Sequence, residues 1–426
     1  MIKELQIRPF ARPLLVWMAG IVLQTVFSCC TYSWVLLLLP VIALSTAGFA
    51  RRGQEHFCYG TRWLWGAVFL SLLLFLSIQK TAYSQSESLS EHPVSSISRW
   101  AREEQQWLLE PIDKLNLTDE EKSVLSTITV GYRQAMNREV RNRFSATGVA
   151  HILAVSGFHV AIVCGFLSFL LSFLPRNGLG KWIRYLLTVS VLWAFVAVTG
   201  FAASAVRAGL MLTLFLTGLV LGKLTERYNI LVASAFGMLV YEPLYLFDIG
   251  FQLSYLAVFS ILYFQPRLQR LMEIRNPFLL TPWRWITVTL SAQIGTTFLC
   301  LYYFGRFSTV FLLTNLPLTL LATLLVPVCL VWMLLPAGFP GAEWLQVVVE
   351  WLARRLLWIV DAFSRVPGAV FSFRFDFLTM LVAYGILLFT LLYGHTGRSR
   401  YLFMALSLLL IILLVRLIGN LKLCGI

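Results

Sequence analysis

A succession of apolar stretches, each long enough to cross a lipid bilayer as a helix, is the feature that most constrains the fold of this chain. A spanning helix needs about 20 mostly apolar residues, with a range of about 17–25. Inside lipid every backbone polar group must be satisfied within the segment, which favours helices. The sequence predicts spans at residues 14–30, 33–50, 63–78, 149–174, 182–199, 206–222, 229–247, 251–264, 285–304, 308–335, 377–393 and 401–417.

The composition agrees with this interpretation and excludes other classes of protein. Hydrophobic residues make up 58% of the chain and charged residues only 13%, whereas a soluble domain carries about 25% charged residues. This excludes a soluble enzyme, a disordered protein and a disulfide-rich secreted domain. We predict an all-α polytopic integral membrane protein with about 10–12 transmembrane helices and a small helical extracytoplasmic insert.

Basic residues indicate the orientation of the predicted spans. Lys and Arg are absent from the loops around residue 31, 199–203 and 241–246, and they cluster in the loops on the other side. Because cytoplasmic loops are the basic ones in membrane proteins, we expect a cytoplasmic N-terminus. This alternation holds to about residue 304. It also accounts for the formal net charge of +14, which by itself identifies no nucleic-acid partner.

The same pattern divides the chain into four regions. We predict a three-span N-terminal region (1–78), an extracytoplasmic helical insert (79–147), a core of spans (148–336) and an interfacial helix followed by C-terminal spans (337–426). In the insert, Thr118 and Glu121 have the spacing of a capping box that opens a helix. A second, arginine-rich helix is expected at 132–144.

Two segments near the C-terminal end are less regular than the spans before them. Pro317 and Pro327 interrupt the stretch 308–335, which predicts a kinked span or two half-helices. The stretch 343–365 has one apolar helical face and two central arginines, and an arginine in a span costs about 2.5–3.5 kcal/mol. An interfacial helix is therefore expected there.

His151, Ser156 and His159 form the first group of polar residues within a predicted span. Their positions on a continuous helix would place the histidines about 80° apart and Ser156 beside His159. Three interpretations stay open: a polar contact between helices, the lining of an aqueous path, or a serine nucleophile with a histidine base. Neither these histidines nor the seven cysteines have metal-ligand spacing, so we expect no metal and no cofactor.

Arg207, Asp248 and Gln252 form further candidates. Arg207 begins a span on the side that otherwise lacks basic residues, which favours an internal partner or an anionic substrate. Asp248 precedes a helix, where it can serve as a cap, and it is also the natural counter-charge for Arg207. Gln252 lies one helical turn after Asp248, on the same face.

Three segments together resemble the signature segments of the ComEC-type competence proteins. The runs His-x4-Ser-Gly-x-His and Asp-x-Gly-Phe-Gln-Leu-Ser are the specific ones. The segments lie at 151–160, 203–209 and 248–257, with supporting similarity at 138–148, 291–293 and 315–317. The resemblance covers about 132–317. Beyond that range only the hydrophobic pattern is similar.

The resemblance implies a channel in the cytoplasmic (inner) membrane that takes up single-stranded DNA in natural transformation, with 148–336 as its core. A strand crossing lipid needs weak, spaced donors along a wet path. We expect these donors to be His151, Ser156, His159, Arg207, Gln252 and Asn315, with Asp248 as a structural charge partner.

The chain also departs from longer members of that family. Those members carry a β-rich extracellular domain, and many end in a nuclease-like domain, whereas this insert is short and no His-x-His-x-Asp-His run is present. We therefore expect no enzymatic activity. The implied partners are single-stranded DNA, the lipid bilayer and other competence proteins, namely a DNA receptor, a helicase and a separate nuclease.

Three alternatives to a channel stay open on the sequence alone. One is an intramembrane serine hydrolase that uses Ser156 with a histidine. Another is a proton-coupled transporter of a small anion with Asp248 as the proton site, for which internal inverted repeats would be expected. The last is a scaffold for the uptake machinery, in which single substitutions along the path would be silent.

Overall fold

The predicted all-α architecture is confirmed by a computed structural model of the chain. It describes residues 9–28, 30, 33–35, 42, 62–88, 107–132, 136–153, 155–175, 177–223, 226–336 and 338–423. The helices are α1 (Ala11–Phe27), α2 (Arg62–Ser88), α3 (Asp119–Thr129), α4 (Arg138–Ala146), α5 (Gly157–Leu170), α6 (Gly178–Val198), α7 (Ala203–Val220), α8 (Arg227–Tyr241), α9 (Ile249–Gln269), α10 (Pro277–Tyr303), α11 (Phe311–Leu334), α12 (Ala342–Ser364), α13 (Phe377–Thr396) and α14 (Ser399–Leu423).

Seven of these helices are long and apolar enough to cross a membrane: α2, α6, α7, α9, α10, α11 and α13. Shorter apolar helices lie at Ala11–Phe27, Gly157–Phe173 and Ser399–Leu414. The chain is therefore a multi-pass membrane protein, and it reaches the lower end of the expected 10–12 spans if the shorter helices also cross. The predicted span at 33–50 falls almost entirely outside the described residues.

Two predicted helices begin later in the chain than expected. The span predicted from residue 149 starts only at Gly157, because residues 150–153 form turns. Gly148, just before these turns, has a φ of +76°. A side chain there would contact Phe311 and Ser308 at under 3 Å, so glycine permits both the turn and the close approach. The insert helix predicted from residue 132 starts at Arg138, after the N-cap Asn137.

Other local predictions are confirmed or resolved. The capping box is present, because the Thr118 side chain accepts the Glu121 N–H and the Glu121 carboxylate accepts the Thr118 N–H. The proline-containing stretch 308–335 is one helix, α11, which continues through Pro317 and Pro327. Two separate half-helices are therefore not formed.

A short antiparallel pairing closes the segment that contains α11 and α12. Strand β1 (Arg306–Ser308) precedes α11 and strand β2 (Val370–Ser372) follows α12, with Phe307 opposite Phe371. The chain after α12 thus returns to the end of the molecule at which α11 begins. The two helices form an antiparallel hairpin, and the interfacial position of α12 stays a prediction.

The largest apolar cluster joins the insert to the spans. Ile128 of α3 and Phe144 of α4 share this cluster with Val160 of α5, Leu325 of α11 and Leu356 of α12, all of them buried. The insert is therefore packed against the membrane helices. A second cluster includes side chains of α1, α8 and α9.

Candidate functional site

Ser156 and His159 meet at the N-terminus of α5. Nδ1 of His159 accepts the backbone N–H of Ser156 at 3.1 Å and lies 3.0 Å from the Ser156 hydroxyl oxygen. This is the reciprocal geometry of a capping box, with a histidine in the third helical position. Because Nδ1 accepts a backbone proton, the neutral ring carries its own proton on Nε2.

The Nε2 atom of His159 is a buried donor. The residue is 0% exposed, and Nε2 has no hydrogen-bond partner among the described residues. His151 lies in the turn before α5 and is exposed, so the predicted helical relation between the two histidines is wrong. The reason is that the chain forms turns at residues 150–153 and that α5 begins only after its N-cap, Ser156.

Arg207 lies in the second turn of α7, with its side chain only 4% exposed. Its Nε and Nη1 atoms have no hydrogen-bond partner in the described part of the chain. The contact to a charge is long, because Nη1 is 3.9 Å from the Asp248 carboxylate. The buried guanidinium therefore has two donor atoms without a hydrogen-bond partner among the described residues.

Asp248 serves both functions that its sequence position allows. Its side chain accepts the N–H of Phe251 at 2.7 Å as the N-cap of α9, and the same oxygen atom faces Arg207. The carboxylate is about half exposed, so water screens its attraction for the guanidinium. A side chain at Gly250 would lie 3.4 Å from Arg207 Nη2, so glycine keeps the space beside the guanidinium open.

Gln252 and Asn315 hold neighbouring helices together. The Gln252 amide donates to the Leu246 carbonyl at 2.9 Å and accepts from the Tyr303 hydroxyl at 2.9 Å. The Asn315 amide donates to the Thr289 hydroxyl at 2.9 Å. Both side chains are therefore engaged in contacts within the protein.

The N-terminal ends of α5 and α7 are in direct contact. A side chain at Gly157 would lie 3.2 Å from the Cβ of Ala208, and the Ser204 hydroxyl donates to the carbonyl of Val155. The buried donors on His159 and Arg207 therefore belong to two helices that touch at these ends. Ser204 and Tyr303 were not predicted from the sequence, although Ser204 is the polar member of the small-residue run beside Arg207.

A groove of about 380 Å³ lies elsewhere, between α5 and α11. It is lined by Ile162, Gly165, Phe166, Phe169, Thr323 and Pro327, and its surface is almost entirely apolar. None of the predicted path residues lines it. Within the described ranges, no group of three or more His, Cys, Asp or Glu side chains is placed to hold a metal ion.

Comparison with known proteins places the chain in a family. A family profile described as Competence protein matches residues 128–397, which is more than half of the chain and includes every candidate residue above. The chain belongs to the competence protein family. The resemblance predicted from the motifs is thereby confirmed.

One curated relative in this family is ComE operon protein 3 of Bacillus subtilis (strain 168). It is 27% identical over 288 residues, which is 63% of this chain and 35% of the relative. The chain thus matches little more than a third of that protein's length. No solved structure matches the chain.

Proposed function

We propose that this competence-family chain carries single-stranded DNA across the cytoplasmic membrane in natural transformation, with residues 148–336 as the channel core. The chain itself does not hydrolyse DNA. A DNA receptor, a helicase and a separate nuclease supply the steps before and after passage, and the N-terminus lies in the cytoplasm.

The observation that carries this proposal is the guanidinium of Arg207. It is buried, its Nε and Nη1 atoms have no acceptor among the described residues, and Asp248 approaches only to 3.9 Å. A buried charge without good partners is strongly destabilising, so a folded protein retains one where another group completes it. A phosphodiester oxygen matches the geometry and charge of these donors.

His159 supplies a second, weaker donor. Its Nε2–H is buried without an acceptor in the described ranges, and the ring is fixed by its Nδ1 contact to Ser156. A neutral imidazole binds a phosphate less strongly than a guanidinium does. Contacts of unequal strength suit a strand that must be held and then released.

The other predicted path residues contribute differently under this proposal. His151 lies exposed at the entrance to α5, where it contacts the strand first. Ser156 orients His159, while Gln252 and Asn315 brace the helices around the path through their bonds to Tyr303 and Thr289. Asp248 caps α9 and limits the positive charge at Arg207.

The test compares DNA uptake by cells that carry Arg207→Gln, Asp248→Asn or the unchanged chain, at matched membrane levels. Arg207→Gln is expected to lower uptake about tenfold or more, because a charged contact to the strand is lost. Asp248→Asn keeps an acceptor for the Phe251 N–H and is expected to leave most uptake intact. Equal losses in both variants would show that the two residues serve only as an ion pair.

A serine hydrolase is the second candidate, because the Ser156 hydroxyl lies 3.0 Å from a histidine nitrogen. That nitrogen also accepts the Ser156 N–H, which favours a helix cap over a catalytic base. Nε2, the atom that an orienting acceptor would hold, has none among the described residues. Ser156→Ala that preserves uptake and abolishes cleavage of a membrane substrate would establish the hydrolase.

A further inference from the structure

The outward face of α12 carries three tryptophans at seven-residue spacing. Trp344, Trp351 and Trp358 are 71%, 53% and 62% exposed, and Val347 lies exposed between the first two. Seven residues are close to two helical turns, so these side chains follow one line along the helix. We call Trp344, Val347, Trp351, Arg355 and Trp358 the Trp–Arg strip.

The strip is positively charged at its centre. The guanidinium of Arg355 lies 5.7 Å from the centre of the Trp351 ring, and Arg354 is exposed beside it. The acidic neighbour Glu350 points to the other side of the helix, where it accepts the N–H of Asn116 at 3.0 Å. Its carboxylate also lies 3.6 Å from Arg354 Nη2 and neutralises that arginine. Arg355 therefore supplies the positive charge of the strip.

The opposite face of α12 packs against the insert and α11. Leu352, Leu356 and Val360 are buried in the large apolar cluster that also contains side chains of α3 and α4. Arg143 of α4 forms an ion pair with Asp361 of α12 at 2.6 Å. The polar insert thus holds α12 from behind, and the Trp–Arg strip points away from it.

We propose that the Trp–Arg strip binds single-stranded DNA by stacking bases on its tryptophans, with Arg355 beside the backbone. This inference rests on the proposed function and names a receiving surface for the strand. Exposed aromatic rings interleaved with cations bind single strands without sequence preference, because every base has a flat face. A line of rings along a helix suits a linear ligand. Because α12 packs on the insert, the proposed topology places it at the outer surface of the membrane, where DNA arrives.

The position of the charge favours DNA over lipid as the occupant. A helix that lies in the membrane interface carries Trp and aliphatic side chains on one face and its Lys and Arg on the other. Here Arg355 lies over Trp351 in the middle of the strip. Cover by lipid is the alternative, and the accessibility of a thiol placed within the strip tests it.

The first measurement is binding of a fluorescent oligo-dT to the full chain in nanodiscs. Trp351→Ala and Trp358→Ala are each expected to raise the Kd roughly fivefold to thirtyfold, since each removes one stacking platform. Trp351→Phe keeps a ring and is expected to retain most of the affinity. Trp107→Ala is the matched control, because Trp107 lies on the insert and is 58% exposed.

A Kd unchanged in Trp351→Ala and Trp358→Ala, or lowered affinity in Trp107→Ala to the same degree, would overturn the proposal. The channel path is tested separately, by the effect of Arg207→Gln on uptake in cells. If Trp351→Ala and Trp358→Ala lose oligo-dT binding while Arg207→Gln leaves uptake unchanged, only the proposed channel path is contradicted. The two proposals therefore fail separately.

The second measurement tests what covers the strip. Val347→Cys places a thiol between Trp344 and Trp351 without removing a ring, and the unchanged chain gives the background from native cysteines. A membrane-impermeant thiol reagent is expected to label this variant in nanodiscs, and oligo-dT is expected to protect it. A thiol that stays unlabelled without oligo-dT would show the face covered by lipid or another chain, and would overturn the proposal.

Discussion

Individual donors and caps decide what the candidate site can do. The clearest case is His159, whose two ring nitrogens have different tasks. Nδ1 completes the N-terminus of α5 with Ser156, while Nε2 is buried with no acceptor in the described part of the chain. One side chain thus combines a structural contact with a buried donor that no described residue satisfies.

Replacement of His159 separates these two tasks. Glutamine can make the reciprocal contact of a capping box and offers an amide donor, so His159→Gln is expected to fold normally and keep part of the uptake. His159→Leu removes both and is expected to lower stability by about 0.5–2 kcal/mol and to lower uptake. Thermal unfolding in detergent and DNA uptake measure the two effects, and a His159→Leu chain unchanged in both would contradict this account.

Residue types and spacings predicted part of the site. The adjacency of Ser156 and His159, and the approach of Arg207 to Asp248, followed from helical periodicity and charge. The position of His151 did not, because it lies in a turn and the helix that contains His159 begins only after Ser156. The hydrogen bond between Gln252 and Tyr303 could not be predicted either, because the two residues are 51 positions apart in sequence.

At the scale of helices and strands, close approaches between helices are the strongest constraints. A side chain at Gly295 of α10 would meet the Ser260 hydroxyl oxygen of α9 at 1.8 Å. The two helices therefore depend on a glycine at their crossing. Small residues allow this kind of packing in membranes, where no hydrophobic force drives helices together.

Gly295→Ala is expected to destabilise the protein by about 1–3 kcal/mol through overpacking. A second change, Ser260→Gly, removes the opposing side chain and is expected to restore part of the loss. Gly394→Ala is the matched control, because a side chain there meets nothing within 4 Å. The measurement is the midpoint temperature of thermal unfolding in detergent. An unchanged midpoint for Gly295→Ala would contradict the close contact.

The ion pairs of Arg143 connect three helices. Its guanidinium bonds Glu120 of α3 and Asp361 of α12, each at 2.6 Å. Burial acts to lower the pKa of Arg143, and the hydrogen bonds to the two carboxylates outweigh it and raise the pKa. The residue therefore stays charged at every physiological pH and holds the insert on α12.

Arg143→Gln is expected to lower the free energy of unfolding by about 1–2 kcal/mol, a value reduced by the partial exposure of the pairs. Arg141→Gln, on the exposed side of the same helix, is the control and is expected to change little. Denaturant titration in detergent gives the comparison. Equal effects of the two substitutions would show that the pairs contribute nothing specific.

Elements were predictable where one local rule governed them. Thr118 opens α3 because a capping box needs only four residues. The pairing of β1 with β2 joins residues 62 to 66 positions apart, from Ser308 with Val370 to Arg306 with Ser372. The packing of α12 on the insert joins residues still farther apart, such as Arg143 and Asp361, which are separated by 218 positions. No local pattern contains that information, and the strands are only three residues long.

At the scale of the whole molecule, orientation in the membrane is the main prediction. The alternation of basic loops predicts that the connection after α7 lies in the cytoplasm and the end of α8 outside. In intact cells, an impermeant thiol reagent is expected to label Tyr241→Cys and to spare Leu221→Cys, both at exposed positions. The unchanged chain gives the background, and the reverse labelling pattern would invert the topology.

The packing of the insert on α12 has a consequence for biogenesis. Arg143 precedes its partner Asp361 by 218 residues, and Asn116 precedes Glu350 by 234. During synthesis the insert therefore emerges from the ribosome long before the helix that covers its apolar side. Until α12 is added, the apolar side of the insert lacks the cover of this helix, so a chain interrupted before α12 is expected to expose that surface.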